Sequence, residues 1–357
     1  MEIVQELNHN RNANIFEEDI SLAAKQEVID WEVLRGKTIL ITGATGLIGY
    51  TLLRVLAEAD ITRGLNVNVL ALVRDRDAAR ERFKSVFGQG LRISMVEGTV
   101  ECMPSIDGCI DYIVHGASKT QSSEFVKEPV EVIDTAILGT KKLLELAREK
   151  QVSSFVYLSS MEVYGFPEKG HKVTEEEIGA FSPMEIRNVY PISKLLCESM
   201  CVAYHKEYGV PVRILRLTQT FGPGIRSGDA RVFAYFIECA RDGKDIVLKT
   251  KGETERSYLY SADAATAILT LLTCGEAGGV YNAADESTYC SIKEMACLVA
   301  EQNGIGVQLE TQDREESGYP ETIYMDLDTT RLKALGWNAC SGGGIEMMYR
   351  KCVEGLL

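Results

Sequence analysis

Residues 39–49 read ILITGATGLIG, an apolar run that switches, through glycines at 43, 46 and 49, into the helical pattern LIGYTLLRVLAEADI. The junction decides the fold. Apolar and β-branched residues followed at once by glycines and a helical stretch describe a strand feeding a helix, the first half of a βαβ unit. Each glycine has its own task. Gly43 permits the tight turn, Gly46 lets backbone amides approach a pyrophosphate, and Gly49 allows the helix to pack close on the strand. Thr45, Leu47 and Ile48 fill the loop and the first helical turn, whose unpaired N–H groups and partial positive charge suit phosphate oxygens. These positions are expected to contact a dinucleotide.

The same alternation continues outward. VNVLALVRD, RISMVEG, DYIVHGAS, SSFVYLSS and PVRILRL read as strands, with EVIDTAILGTKKLLELAREK and SKLLCESMCVAYHKEYG as helices between the later ones. Strands alternating with helices imply parallel strands joined by right-handed crossovers. The expected fold is α/β, a doubly wound parallel sheet of the Rossmann kind over residues 36–218. Residues 219–357 form mainly a smaller C-terminal substrate-binding lobe, interleaved with the last strands of the sheet. Residues 1–35, which include EEDISLAAKQEVIDWEVLRG, read as an N-terminal helical extension packed against the domain.

Composition narrows the function. With 45% hydrophobic residues in 357, the chain can bury a large core. No apolar stretch is long enough to cross a membrane, and the N-terminal MEIVQELNHNRNANIFEEDI is acidic and polar, so the expectation is a cytoplasmic protein without membrane partners. A net charge of -14 argues against nucleic acid as a partner. Ten cysteines without CxxC pairs and four histidines give neither a disulfide framework nor a metal site. Cys197 and Cys201, four apart in a helical stretch, read as two small apolar residues on one face.

A second constellation carries chemistry. Tyr190 and Lys194 in YPISK are four apart and share one helix face. A phenol with an ordinary pKa near ~10 is a poor base at neutral pH, but a nearby ammonium and a cationic cofactor ring favour its phenolate. Ser160, at the end of the strand SSFVYLSS, completes a hydrogen-bonding set around a reacting hydroxyl. At the tip of the second strand, LVRDRD places Arg74 before Asp75; an acid there suits a ribose 2′-hydroxyl and an arginine a 2′-phosphate, so NAD and NADP both stay open.

The GxxGxxG spacing with YPISK resembles the short-chain dehydrogenase/reductase superfamily. The resemblance narrows to its extended branch, the nucleotide-sugar epimerases, dehydratases and decarboxylases, and runs from residue 37 to about 350. HGAS at 115–118 stands where that family usually reads HLAA, which implies a cofactor contact at Ala117; ILGT at 137–140 and RLTQTFGPG at 216–224 also match. GETERSYLYSAD at 252–263 resembles GxxxRxFxYVxD, whose arginine holds the nucleotide diphosphate. That implies Arg256 as a phosphate clamp, with Arg231 and Gln219 as further substrate contacts. The family's habit of recycling a bound NAD favours NAD over NADP. Ala136, Gln219 and Thr99 replace an asparagine, an asparagine and an aspartate common in the family, which weakens any transfer of substrate identity.

SSMEVYG at 159–165 then bears on the reaction. The related dehydratases resemble STDEVYG, in which the aspartate protonates the leaving hydroxyl; here that position is Met161, which has no proton to give. Glu162 is kept, as in UDP-glucuronate decarboxylases, which resemble STSEVYG, whereas 4-epimerases usually carry a small or uncharged residue there. If the segment stays extended, Ser160 and Glu162 share one side, and the alternative for Glu162 is a buried carboxylate bonding backbone. The resemblance thus implies a nucleoside-diphosphate sugar oxidised transiently at C4, with decarboxylase-like C4/C5 chemistry first. 4-Epimerisation, an NADPH-dependent reductase favoured by Arg74, and a dinucleotide sensor without turnover are the alternatives. A homodimer through the helices of EVIDTAILGTKKLLELAREK and Tyr190 is implied as well.

Overall fold

The computed structural model describes residues 15–88, 90–225, 228–229, 231–310 and 322–354. The apolar run of the glycine junction is β1 (Thr38–Thr42), and Ile39, Leu40 and Ile41 are completely buried in it. It leads into α1 (Leu47–Arg63); β2 (Asn68–Val73) and β3 (Arg92–Glu97) extend the sheet on one side. β4 (Tyr112–His115), β5 (Ser154–Ser160), β6 (Val212–Leu217) and β7 (Val280–Ala283) extend it on the other. The order is β7-β6-β5-β4-β1-β2-β3, every neighbouring pair parallel. The winding reverses between β1 and β4, and ligands of such sheets bind outside the carboxyl ends of the strands at the reversal.

Successive side chains of a strand face opposite ways, and two cores follow. Ile39 and Ile41 pack into the core that holds α1 and α4 (Ser261–Cys274), while Leu40 packs into the core formed with α2 (Pro129–Lys150) and α3 (Val189–Tyr208). Helix α4, SADAATAILTLLTC, has almost no polar face because it is covered on all sides by the sheet and α1. Its Asp263 accepts the backbone N–H groups of Cys340, Ser341 and Gly342 at 3.0, 2.9 and 3.0 Å, which fastens the returning C-terminal segment onto the helix.

A second sheet starts where β6 ends. After Leu217, Thr218 turns the chain, its N–H bonded to Ala283 on β7 and its hydroxyl to the Ser257 carbonyl at 2.6 Å. Gln219–Phe221 then pairs with Glu255–Tyr260, which also pairs with Asp285–Ser291 and Tyr324–Leu327. This sheet takes in Lys172–Val173 from the earlier part of the chain as well.

The stretch EEDISLAAKQEVIDWEVLRG differs from the single helix its pattern suggests. Helix ends at residue 24, and a separate 3-10 turn covers Trp31–Leu34. The break is physical: both Trp31 and Leu34 are buried, and the Trp31 indole N–H reaches back to the Gln26 carbonyl at 2.9 Å, so the chain folds onto itself between them. The helix is bound to the body through Phe16, Ile20 and Ala23 in the core and through Asp19, which accepts from Tyr260 at 2.6 Å and pairs with Lys351.

Beneath the carboxyl ends of β5 and β6 lies a buried ion pair. Arg216 on β6 gives two hydrogen bonds to Glu198 on α3, at 3.0 and 2.7 Å, with the two side chains only 5% and 8% exposed. Ser159 donates to the same carboxylate at 2.6 Å, and the guanidinium also donates to the Tyr164 hydroxyl at 2.9 Å and the Glu175 carbonyl at 3.0 Å. Removing one partner strands the other charge in a dry site. Arg216→Met alone is expected to lose about 3–5 kcal/mol of unfolding free energy, and Arg216→Met with Glu198→Leu to lose less than that. Urea denaturation of both variants checks this; equal losses would mean that the pair is not the element that matters.

Candidate active site

The glycine loop shows what each glycine is for. Gly43 has φ +75°, and a Cβ there would stand 2.8 Å from the backbone of Gly116, so both conformation and space require glycine. A Cβ at Gly49 would fall 2.3 Å from the Gly43 carbonyl oxygen, the close approach of helix to strand. Gly46 is different, since a Cβ there would come no nearer than 3.3 Å to any protein atom. It caps α1 without a side-chain bond to the first helical turn, so space and N–H donors remain for an anionic group, as a pyrophosphate requires.

One cleft of about 1060 Å³ runs along this edge of the sheet. Gly43, Thr45, Gly46, Leu47, Ile48, Gly49, Arg74 and Ala117 line it, together with Ser160, Glu162, Tyr190 and Lys194 and with Gln219, Arg231 and Arg256. Residues as far apart in sequence as Gly43 and Arg256 are thus brought to one cleft.

At the second strand's tip, Asp75 is already engaged. Its carboxylate accepts the N–H groups of Asp77 and Ala78, both at 2.9 Å, and caps the helix Arg76–Arg82. The acid of this end of the cleft is instead Glu101, which sequence reasoning missed. Desolvation raises its pKa, but hydrogen bonds from Thr135 and Thr99 outweigh that and hold it below the usual carboxylate range. An ionised Glu101 offsets Arg74 and suits an uncharged 2′-hydroxyl better than a 2′-phosphate.

Ala117 is fixed by a chain of hydrogen bonds. Its N–H donates to the Thr42 hydroxyl at 3.1 Å; Thr42 meets His115 Nδ1 at 2.8 Å, and His115 Nε2 meets Thr140 at 3.1 Å. Thr140 donates to Cys197 at 3.3 Å, and the Cys197 thiol to the Ala136 carbonyl at 3.2 Å. Burial, with the Lys194 charge, pushes His115 down to about 3, so the imidazole is neutral and serves as a strut. Cys197 and Cys201 are both fully buried, as the reading of two small residues on one face requires.

Ser160 ends β5, and the chain does not stay extended beyond it. Met161–Tyr164 form a 3-10 turn whose N-cap is Ser160, its hydroxyl accepting from the Glu162 N–H at 3.2 Å, and Gly165 at φ +66° closes it. The strand alternation expected for Ser160, Met161 and Glu162 therefore does not apply. Met161 is buried against Val163, Tyr164, Met325 and Leu327, and its sulfur accepts from the Thr218 hydroxyl at 3.3 Å. Glu162 is not the backbone-bonded buried carboxylate of the alternative reading. It is about a third exposed and pairs with Arg187 at 3.0 Å. Arg187 was missed because nothing marks it except its place three residues before Tyr190.

Tyr190 is buried, its ring stacked on Phe125 with centroids 4.4 Å apart and planes within 6°. Desolvation first, and then the Glu162 charge, push the phenol above its ordinary value; a hydrogen bond to Ser160 and the charges of Arg187 and Arg231 oppose them. Lys194 lies one turn on, its Nζ 5.8 Å from the Tyr190 ring centre and donating to the Leu158 carbonyl at 2.7 Å. Ser160, Tyr190 and Lys194 thus converge as hydroxyl, phenol and ammonium on one wall.

The remaining predicted contacts divide. Arg256 donates to Gln219 at 2.7 Å and keeps its Nε buried without a protein partner, a free donor suited to an anion. Arg231 already binds Asp229 through two nitrogens, at 2.9 and 2.5 Å, so its charge is offset within the protein.

The NAD dependent epimerase/dehydratase family model matches residues 39–284. The chain is similar to UDP-glucuronic acid decarboxylase 1 of Xenopus tropicalis, with 32% identity over 229 residues that cover 64% of this chain and 53% of that protein. It therefore spans about half the length of that relative. It is also similar to UDP-glucuronic acid decarboxylase 5 of Arabidopsis thaliana, 28% identical over 302 residues and 84% of each chain. Among solved structures, the UDP-glucose 4-epimerase of Thermotoga maritima with UDP-glucose superposes with a TM-score of 0.71 at 23% identity, over 88% of this chain and 98% of the other, a likeness of fold. No helix among the described residues is long and apolar enough to cross a membrane, and they hold no metal-ligand cluster.

Burial lowers Lys194 to about 8 in the cofactor-free protein, so its ammonium is present below that pH and lost above it. Carbon-13 NMR of protein labelled at lysine Cε is expected to show one resonance titrating near 8, absent from Lys194→Met. A resonance with the ordinary midpoint near ~10.4 would place Lys194 in water rather than in the wall of the cleft.

Proposed function

The chain belongs to the NAD-dependent epimerase/dehydratase family, and from that premise we propose that it modifies a nucleoside-diphosphate sugar through transient oxidation at C4, with loss of a C5 carboxylate as the reaction. NAD, when bound, accepts a hydride and returns it. The observation that carries the proposal is the wall formed by Ser160, Tyr190, Lys194 and Glu162, in which the position beside Glu162 is a largely buried thioether, Met161, with no proton to give. Tyr190, hydrogen-bonded to Ser160, takes the C4 hydroxyl proton; Lys194 supplies the positive charge that the buried phenol needs to ionise. With C4 a ketone, the bond from C5 to its carboxylate breaks, CO2 leaves, the electron pair is held as an enolate, and C5 regains a proton. No leaving hydroxyl needs an acid, which agrees with a thioether at 161. The free donor of Arg256 and its partner Gln219 suit the diphosphate. The decarboxylases among the relatives support the same substrate class.

Incubation of the full chain with NAD and UDP-glucuronate is expected to give a product lighter by CO2 in mass spectrometry, and Tyr190→Phe to slow turnover by about 10²–10⁴-fold. A product of unchanged mass would make the reaction an epimerisation, and full activity in Tyr190→Phe would remove Tyr190 from the chemistry.

The proposed assembly is a homodimer. Helices α2 and α3 pack side by side and leave Val130 and Ile133 of the first and Leu196 and Val202 of the second exposed, apolar side chains of the sort found where subunits pair. Light scattering is expected to give twice the chain mass, and the monomer mass for Ile133→Glu with Leu196→Glu; a monomeric parent protein would refute the assembly.

A further inference from the structure

One ion pair in the cleft is explained by neither the glycine loop nor YPISK. Arg187 belongs to the 3-10 turn Ile186–Asn188 that opens α3, and its Nη1 donates to Glu162 Oε2 at 3.0 Å. Its guanidinium carbon lies 4.8 Å from the centre of the Phe125 ring, which in turn stacks on Tyr190. An aromatic ring therefore supports the guanidinium beside the reacting phenol. The side chain is 33% exposed on the cleft wall, and the bond to Glu162 is its one hydrogen bond among the described residues.

A guanidinium holds a carboxylate best through two parallel N–H bonds. The contact with Glu162 uses one, which leaves the stronger geometry open to a carboxylate arriving from the cleft. Arg231 differs, since Asp229 already takes two of its nitrogens. We infer that Arg187 is a specificity-determining residue that selects sugars carrying a carboxylate on the ring, by exchanging Glu162 for that carboxylate. This rests on the nucleotide-sugar reading above. A neutral hexose leaves the Arg187–Glu162 pair as it stands and gains nothing from it. A sugar acid replaces the singly bonded ion pair with Glu162 by a doubly bonded one, and releases Glu162 beside Ser160 and Tyr190.

Binding isolates this selection from turnover. In NAD-loaded Tyr190→Phe protein, titration calorimetry with UDP-glucuronate and UDP-glucose gives two affinities, the second of which also reports folding. Adding Arg187→Gln is expected to weaken UDP-glucuronate about 10- to 100-fold and to leave UDP-glucose within about threefold, with Arg187→Lys in between. Adding Glu162→Gln instead is expected not to weaken UDP-glucuronate, because Arg187 is then already free. A loss of both ligands alike in Arg187→Gln, a loss of neither, or an equal loss of UDP-glucuronate in Glu162→Gln would overturn the role of Arg187 and leave the nucleotide-sugar reading intact. Failure of either sugar nucleotide to bind the Tyr190→Phe parent would overturn that reading and this inference with it.

Discussion

Arg216 and Glu198 meet through two hydrogen bonds in a place that almost no water reaches. Moving two charges there costs more desolvation than their attraction returns unless every remaining donor and lone pair is satisfied. Here the satisfaction comes from the elements that build the site: Ser159 of β5, Tyr164 of the 3-10 turn, and the Glu175 carbonyl. Tyr164 passes the constraint on by donating to Asn282 of β7 at 2.6 Å, and Asn282 donates its own N–H to Glu175 at 2.7 Å. The ends of three strands, the turn carrying Glu162 and the helix carrying Tyr190 and Lys194 are thereby held in one register.

A second network does the same for the cofactor side, and its direction can be worked out. Ala117 gives its N–H to Thr42, and the Cys197 thiol ends the chain on the Ala136 carbonyl, an acceptor only. Between these ends the protons run one way: Thr42 to Nδ1 of His115, Nε2–H to Thr140, Thr140 to Cys197. The neutral imidazole required for this is the one that burial enforces. Cys197 lies one turn beyond Lys194, so the loop after β4 and the helix carrying Tyr190 and Lys194 are linked through the interior rather than across the cleft. Alanine at 136 contributes here only its carbonyl, so the family's asparagine side chain is not needed for this link.

Much of this was legible in the sequence wherever the determinant is local. The glycine junction and YPISK each fit within a dozen residues, and strand alternation with buried β1 follows from the apolar runs. What was not legible depends on partners far along the chain. Arg216 reads as one more residue of PVRILRL until Glu198 is seen across from it, and Glu101 sits in a stretch, VEGTVE, whose one remarked position was Thr99. Ser160 and Glu162 share one side only if the segment stays extended, whereas Ser160 has the side chain of an N-cap and Gly165 the freedom of φ that a turn end needs; both signals are present in SSMEVYG and favour a helical turn. LVRDRD leaves Arg74 and Asp75 as alternatives for the ribose end for a similar reason, although DRDA places a capping side chain ahead of a short helix.

The charge pattern of the cleft bears on how a protein of net charge -14 receives an anionic ligand. Half of the cations on its wall bring their own carboxylate: Arg187 has Glu162, Arg231 has Asp229, and Lys119 has Glu128 and Glu131. Arg74 lies within the field of Glu101. Like Arg74, two others have no carboxylate in contact among the described residues: Lys194, bonded to a carbonyl, and Arg256, bonded to a side-chain amide with its Nε bare. A cation that is already paired adds to binding only where the ligand makes a better pair than the partner it displaces. The uncompensated pair therefore sets where negative charge is stabilised most. Lys194 lies beside the phenol proposed to ionise, and Arg256 lies in the motif expected to hold a diphosphate. The paired cations keep the cleft close to neutral without a ligand, which limits non-specific capture of anions, and they leave exchange of partners, rather than simple attraction, as the means by which a second negative group can be recognised.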